Sequence, residues 1–367
     1  RFDYLGATCP SLLLEPSRTN LIAQSEYFGD SYWTKSRASF VNGFTSPEGL
    51  SNSYKLVEDS SNGLHGIYQN ANITIPVGTA TLSVFVKENG RNFFQIRTGS
   101  AAGITNAPLY ANFDLVNNLV TAQSVGANNA IIEQYANGWK RLSVSFTITS
   151  GTQAALVFQT ITSGTSVIGE GYTGDGTSGV FIYGAQLEEG SYPTSYIPTY
   201  GVSQTRAFDD CAVNYTNISD TGGTIFWQGF VDIGVDSHAI SLSNSANGNG
   251  SNRILFYRST SDNKVWLYIQ SAGVSVKNIS LQLPTDSSDK YAVSWATNDF
   301  AVYINGAQIY TSSSGAIPTG MQYIQLNEWT NAHTETNVTK QALYFTTRLS
   351  NLDLAILTGA TTYNTFA

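Results

Sequence analysis

Apolar and polar residues alternate along most of this chain in short runs, each closed by Gly, Asn, Asp, Ser or Pro. Leu82-Ser83-Val84-Phe85-Val86 and Leu142-Ser143-Val144-Ser145-Phe146 show it most clearly. A period of two sends successive side chains to opposite faces of a strand. Strands are expected at Tyr54–Glu58, Thr79–Lys87, Asn92–Thr98, Leu109–Leu115, Ala130–Tyr135, Trp139–Ile148, Ala154–Ile161 and Val180–Leu187. Turn signals such as Glu88-Asn89-Gly90, Asn117-Asn118, Asn137-Gly138 and Ser150-Gly151 separate them. Before this series, Ser11–Leu21 reads as a buried edge segment broken by Glu15-Pro16 and Arg18-Thr19-Asn20, not as a helix.

A second series covers Thr224–Ile233, Ala239–Ser243, Arg253–Arg258, Lys264–Gln270, Val274–Leu281, Lys290–Ala296, Phe300–Asn305, Met321–Leu326 and Gln341–Arg348. Its strongest local signal is Lys290–Tyr310. There Tyr291, Val293 and Trp295 share one face and Phe300, Val302 and Ile304 share one face of the next strand, with Thr297-Asn298-Asp299 between. Asn305-Gly306 predicts a second hairpin to Gln308-Ile309-Tyr310. Arg348–Thr358 reads as a short helix, with Ser350 as N-cap, Asp353 as its reciprocal partner and Gly359 as the stop. The pattern predicts an all-β protein: two antiparallel β-sandwich, jelly-roll domains in tandem.

Between the two series lies Gly174–Asp209. Its strand Val180–Leu187 passes into a segment punctuated by Pro193 and Pro198 and flanked by Tyr192, Tyr196 and Tyr200. Proline forbids regular pairing and biases the residue before it toward extended backbone. A solvated linker would be rich in Gly and Ser, so this stretch is expected to be a fixed strap on a domain surface. The expected division is residues 1–209 for the first sandwich and strap, 210–222 for a linker and 223–367 for the second sandwich.

Composition sharpens the picture. Among 367 residues only 12% are charged, against 41% hydrophobic and 12% aromatic. Polar surface must then come from Ser, Thr, Asn, Gln and Gly, which bind by hydrogen bonds rather than charge. A net charge of −8 and the lack of any basic run exclude nucleic acid as an expected partner. No apolar run approaches the ~18 residues of a membrane span, so a soluble chain without membrane insertion is expected. The sequence begins at Arg1 rather than Met, as expected of a fragment or processed product. Cys9 and Cys211 either remain thiols or pair across the base of the first domain; two cysteines make neither a disulfide framework nor a Cys-rich zinc site.

Catalytic signatures are sought and not found. A retaining glycosidase needs two carboxyl groups about 5–5.5 Å apart, yet no Glu-x-Asp-x-x-Glu occurs. Glu328 and Glu335 lie in a polar segment, and Glu188-Glu189 point to opposite strand faces as expected surface carboxylates. Gly29-Asp30-Ser31 resembles an esterase motif but lacks the preceding buried strand and an Asp-x-x-His partner. His65, His238 and His333 share no ligand spacing and are expected on the surface or in loops. No enzyme is expected. A structural Ca²⁺ could draw oxygen ligands from Ser243–Asn252 or from Asp232 and Asp236, without a fixed loop motif.

Sugar recognition needs aromatic faces beside amides and hydroxyls. In Val265-Trp266-Leu267-Tyr268-Ile269, parity sends Trp266 and Tyr268 away from the core face, and Tyr303 stands in the same relation to Val302 and Ile304. Trp329 follows Asn327 and Glu328 in a loop. Trp266, Tyr268, Tyr303, Trp329 and Asn327 are therefore the glycan-binding candidates. The competing reading is that these aromatics cover a second layer or a subunit interface. Trp139, opening a strand after Asn-Gly, is expected in the core.

Two groups of residues carry a resemblance. Leu13-Leu14-Glu15-Pro16-Ser17-Arg18-Thr19-Asn20-Leu21, Asn137-Gly138-Trp139-Lys140-Arg141 and the strap are similar to a module of bacteriophage fibre and spike proteins. The strap's part is Gly184-Ala185-Gln186-Leu187-Glu188, then Pro193-Thr194-Ser195-Tyr196-Ile197-Pro198-Thr199, then Thr205-Arg206 and Asp209. Arg1-Phe2-Asp3-Tyr4 is similar to the usual lead-in, which implies further chain upstream. The Tyr291–Gly306 hairpin and the Arg348–Thr358 tail resemble laminin-G-like, concanavalin A-type lectin sandwiches. The resemblance implies a carbohydrate-binding-module-like sandwich in a head- or tail-fibre protein on the phage particle surface. Such a protein would bind host-surface or environmental polysaccharide, contact other virion proteins and form a homo-oligomer, a trimer as is usual for fibres. The alternative is a purely structural virion component that binds no sugar.

Overall fold

The computed structural model describes residues 2–3, 11–69, 73–100, 103–150, 152–153, 155–231, 237–259, 261–282, 289–326 and 337–359. They form antiparallel sheets in two compact units, one of residues 18–206 and the other of residues 1–17 with 207–367.

In the first unit two six-stranded sheets face each other. One runs Ala127–Gln134, Lys140–Ile148, Gly78–Asn89, Gly179–Glu189, Ser53–Glu58, Ala38–Phe44; the other runs Leu119–Gln123, Tyr110–Asp114, Phe93–Thr98, Leu156–Ile161, His65–Gln69, Trp33–Ser36. Alternation fills the space between them: Leu82, Val84, Leu142, Val144 and Phe146 from the first sheet meet Phe94, Ile96, Phe113 and Phe158 from the second. All nine are at most 3% exposed.

The same alternation predicts a wet outer face at Ser83, Ser143 and Ser145, and here the structure differs. Those serines are buried because the strap crosses them. Thr81 Oγ1 donates to the Gly190 carbonyl (2.7 Å), Ser145 Oγ to that of Ser191 (2.9 Å), and Arg141 Nη1 to that of Thr194 (2.6 Å). Glu188, expected on the surface, is fully buried beneath it and accepts from Thr194 N (2.9 Å), Thr194 Oγ1 (2.6 Å) and Gln186 Nε2 (2.6 Å). Glu189, one position on, is exposed. Ile197 N donates to Gln186 Oε1 (2.7 Å), while Asn20 Nδ2 donates to the Ala185 and Ile197 carbonyls (3.1 and 2.9 Å). Ser25 and Thr199 clasp each other, backbone amide to hydroxyl in both directions. Between strap and sheet lie Phe85, Trp139, Tyr183 and Tyr196, so Trp139 is buried in a small aromatic cluster of its own. Gly184, with φ +61°, lets the strand bend there: a Cβ would stand 3.1 Å from both the Phe85 and Tyr196 rings.

In the second unit a seven-stranded sheet runs Phe2–Asp3, Ser11–Leu14, Asn337–Phe345, Gly222–Val231, Lys290–Ala296, Asp299–Ile304, Ala307–Ser312. It packs on a six-stranded sheet in the order Ala212–Asn214, Tyr323–Gln325, Ser237–Ser243, Arg253–Arg258, Val265–Ser271, Val274–Ser280. Tyr291, Val293, Trp295, Phe300, Val302 and Ile304 enter the shared core with Ile254, Phe256, Leu267 and Ile269, as parity predicts. The Asn305-Gly306 turn has φ +48° and +83°, the left-handed pair a two-residue hairpin needs.

The division differs from the expected one at both edges. Ser11–Leu14 belongs to the second sandwich, where Leu12, Leu13 and Leu14 pair with Thr339, Val338 and Asn337. The expected linker also contains an edge strand, Ala212–Asn214, paired with Tyr323–Gln325. An apolar run shows that a segment is buried but not which sheet it joins.

The helix forms at Asn351–Gly359 with the expected capping box. Asp353 N donates to Ser350 Oγ (3.1 Å) and Ser350 N to Asp353 Oδ2 (3.3 Å). Leu354 and Leu357 lie on Phe226, Ala292, Ala301 and Tyr303, the face of the seven-stranded sheet opposite the main core.

Candidate functional site

The site is built on the outer face of the six-stranded sheet of the second unit. Val265, Leu267 and Ile269 are buried in the core, so Trp266 and Tyr268 project from the opposite side, each partly exposed. Antiparallel register adds a third ring, because Tyr257 on the neighbouring strand sits directly across from Trp266. The two rings lie at 30° with centroids 6.3 Å apart. The edge strand supplies polar neighbours, Ser280 opposite Trp266 and the exposed Asn278 opposite Tyr268.

Both ends of this aromatic row are held. Trp266 Nε1 donates to Asp262 Oδ1 (3.0 Å), and Ser280 Oγ donates to Asp262 Oδ2 (3.3 Å). The Trp266 bond is the leading reason the Asp262 carboxyl stays below the usual carboxylate range. At the other end the Arg253 guanidinium stacks 5.1 Å above the Tyr268 ring. The row thus presents fixed π faces bordered by a carboxylate, a hydroxyl and an amide. That combination suits the C–H faces and hydroxyls of a sugar.

The rest of the same face is closed by the Asn- and Gly-rich loop 244–252. Gln325 Nε2 donates to the Ala246 carbonyl, Gly250 N to Ser243 Oγ (3.1 Å), and Arg253 Nη1 to Asn249 Oδ1. Ser241, Ser243 and Gln325 are buried under it. The amide oxygens considered for Ca²⁺ take donors within the loop: Asn244 Oδ1 from Asn252 N (3.1 Å), and Asn247 Oδ1 from Asn249 N (3.1 Å) and Ser245 Oγ (2.8 Å). Asp232 and Asp236 lie outside the described residues. Among the described residues, no three His, Cys, Asp or Glu side chains gather as a metal site.

The five sequence candidates separate. Trp266 and Tyr268 come together on the open face. Tyr303 does not join them: it is 6% exposed, its ring lies under the C-terminal helix, and its hydroxyl donates to Gln308 Oε1 (2.7 Å). Parity gave its face correctly, but the helix covers that face. The sequence signal for the covering was the small residues Ala292, Ser294 and Ala301 on the same side. Trp329 and Asn327 lie outside the described residues, as do Glu328, Glu335, His333 and Cys9. Tyr257 and Asp262 were missed. The alternation Ile254, Phe256 inward and Leu255, Tyr257 outward held the information for Tyr257, but only pairing with the next strand sets it beside Trp266.

His65 and His238 are buried rather than exposed. The His65 ring packs on Tyr172 with centroids 4.5 Å apart, and its nitrogens lie 2.8 Å from the Arg37 carbonyl and 3.0 Å from that of Tyr172. Cys211 is half-buried, and burial followed by the neighbouring Asp210 charge pushes its thiol up.

No family model matches the chain, and a search of curated proteins finds no relative. Solved structures with some likeness include the leech intramolecular trans-sialidase in complex with 2,7-anhydro-Neu5Ac: 17% identity, TM-score 0.33, 40% of this chain and 24% of the enzyme. This chain therefore spans about a quarter of that protein. Another is the Ruminococcus gnavus IT-sialidase CBM40 bound to α2,3-sialyllactose, at 14% identity and TM-score 0.32 over 39% of this chain and 85% of that one. Mouse laminin α1 domains LG4-5 are similar at 9% identity and TM-score 0.26 over 88% and 95%. At these scores the likenesses carry no functional argument, which rests on the chain's own residues.

Proposed function

We propose that this chain is a non-enzymatic glycan-binding part of a phage fibre or spike, displayed on the particle surface. The observation that carries the glycan reading is the row Tyr257, Trp266, Tyr268: three half-exposed rings on an outer sheet face, with Asp262, Asn278 and Ser280 beside them. The core is already filled by Ile254, Phe256, Leu267 and Ile269 on the other side, so folding does not require aromatics here. In this reading the rings stack on a sugar while the amide, hydroxyl and carboxylate engage its hydroxyls. The phage assignment rests on the resemblance of the strap and its partner motifs.

Trp266→Ala is expected to weaken binding of a neutral glycan held on this aromatic row by roughly tenfold or more, about 1.4 kcal/mol. Glycan-array screening followed by titration calorimetry reads this, with circular dichroism to confirm the fold. Absence of binding to every glycan and to host cells would favour the structural alternative, in which a neighbouring subunit covers the row.

A single open site of this kind gives roughly millimolar affinity, near −4 kcal/mol. Adhesion then needs repeated copies, and linked sites add about 10²–10⁴ in avidity. An oligomer, a trimer by the fibre resemblance, is expected for the full-length protein in analytical ultracentrifugation; a strict monomer speaks against the fibre reading.

A further inference from the structure

The first unit contains a concave site remote in sequence from the aromatic row. Its sheets end at Ala38–Phe44 on one side and Trp33–Ser36 on the other, both edge strands. A groove of about 520 Å³ opens there, lined by Tyr27, Lys35, Phe40, Asn42 and Tyr54 with Gly29 and Ser39. That volume lies within the roughly 300–1,000 Å³ of small-molecule sites.

The groove's chemistry is uneven in an informative way. Tyr27 is 52% exposed and Tyr54 only 8%, with ring centroids 6.2 Å apart. Gly29 lies against both: a Cβ there would stand 3.3 Å from the Tyr27 ring and 3.6 Å from the Tyr54 ring. Tyr27 is thus a wall with an open face and Tyr54 a fixed floor. Burial, then the nearby Tyr27, pushes the Tyr54 phenol up. Lys35 Nζ stands 5.8 Å over the Phe40 ring and reaches only the Gly29 carbonyl, at 3.5 Å. No carboxylate among the described residues pairs with it, although the chain carries 26 acidic residues against 18 basic ones. A cation left without an anion beside two tyrosines, Ser39 and Asn42 is arranged for a ligand that brings its own negative charge.

We infer that this groove binds a carboxylated saccharide, with the sugar ring against Tyr27 and its carboxylate on Lys35 Nζ. The ammonium–carboxylate bond is charge-assisted and supplies the discrimination; the Asn42 side chain, opposite Tyr54 in the strand pairing, and the Tyr54 hydroxyl meet sugar hydroxyls. This site and its ligand class are independent of the Trp266 row, so either can fail without the other.

The test uses the full chain and a panel of uronate- and sialate-terminated oligosaccharides beside their neutral counterparts, with affinities measured at 50 mM and 500 mM NaCl. Wild type is expected to prefer acidic members and to lose affinity with salt, because a Debye length shortens to a few ångströms toward 1 M. Lys35→Gln is expected to weaken acidic binding about tenfold or more and to remove the salt dependence. Tyr27→Ala weakens it severalfold and Tyr27→Phe keeps it. Lys35 and Tyr27 are exposed, so these variants should fold. The inference is overturned if no acidic member binds, if Lys35→Gln binds like wild type, or if binding is lost with Trp266→Ala instead.

Discussion

Glu188→Ala should destabilise the first sandwich by about 3 kcal/mol, whereas Glu188→Gln should cost about 1 kcal/mol. The carboxylate is fully buried, and three donors converge on it: Thr194 N, Thr194 Oγ1 and Gln186 Nε2. Truncation strands the Thr194 amide beneath the strap, where water cannot replace the acceptor. Glutamine keeps one oxygen for the Thr194 amide and Gln186. Its new amide group faces the Thr194 hydroxyl, which can rotate and accept instead. Hydrogen exchange along Gly179–Glu189 reports on this unit alone. Equal losses in the two variants, or a loss below about 1 kcal/mol for alanine, would show that the strap is not latched through Glu188.

That latch explains what the sequence could and could not reveal. Asn20, Arg141, Gln186, Glu188, Thr194 and Thr199 all fall in the stretches that carry the fibre resemblance, and all six are at most 2% exposed. The motif holds a proline-broken segment to a sheet. Strand identity was legible because alternation is local: Arg253–Arg258 and Lys290–Ala296 form over the expected residues. What was not legible is what covers a strand's second face. The strap buries Ser83, Ser143 and Ser145, and the helix buries Tyr303, although all four stand on the faces that parity assigns them. Nor does a local pattern tell partner choice, so Leu12–Leu14, next to the first sandwich in sequence, complete the second. The site was half legible for the same reason. Trp266 and Tyr268 share one strand, but Tyr257 joins them only through register, and the Tyr27–Tyr54 groove needs strands that the sequence pattern did not mark.

Acid should unfold the first sandwich partly through one residue, Glu58, and Glu58→Ala should cost about 3–5 kcal/mol at neutral pH. Its side chain is fully buried and receives both Nε (2.7 Å) and Nη2 of Arg91, the Tyr172 hydroxyl (2.6 Å) and the Asp175 amide (2.7 Å). Burial alone would push this carboxyl up; the bonds from Arg91, Tyr172 and the Asp175 amide outweigh it and hold it below its ordinary value. A carboxyl whose folded pKa is depressed stabilises the fold above its unfolded pKa, about 4.3. That stabilisation fades as pH falls through the lower, folded value. The gap between wild type and Glu58→Gln is therefore expected to be widest at neutral pH and to narrow below about pH 4. Asp175, held well below the usual range by Ser178 and then Thr177, shifts with the same sign, but its exposure leaves it a small share. Urea midpoints of both proteins from pH 7 to pH 3 measure the gap, and parallel curves would remove Glu58 from the account. The network joins Tyr172 and Asp175 to the Ser53–Glu58 strand and, through Arg91, to the turn after Gly78–Asn89. Its loss should therefore loosen the side of the sandwich where those elements meet, leaving the Glu188 latch to be tested separately.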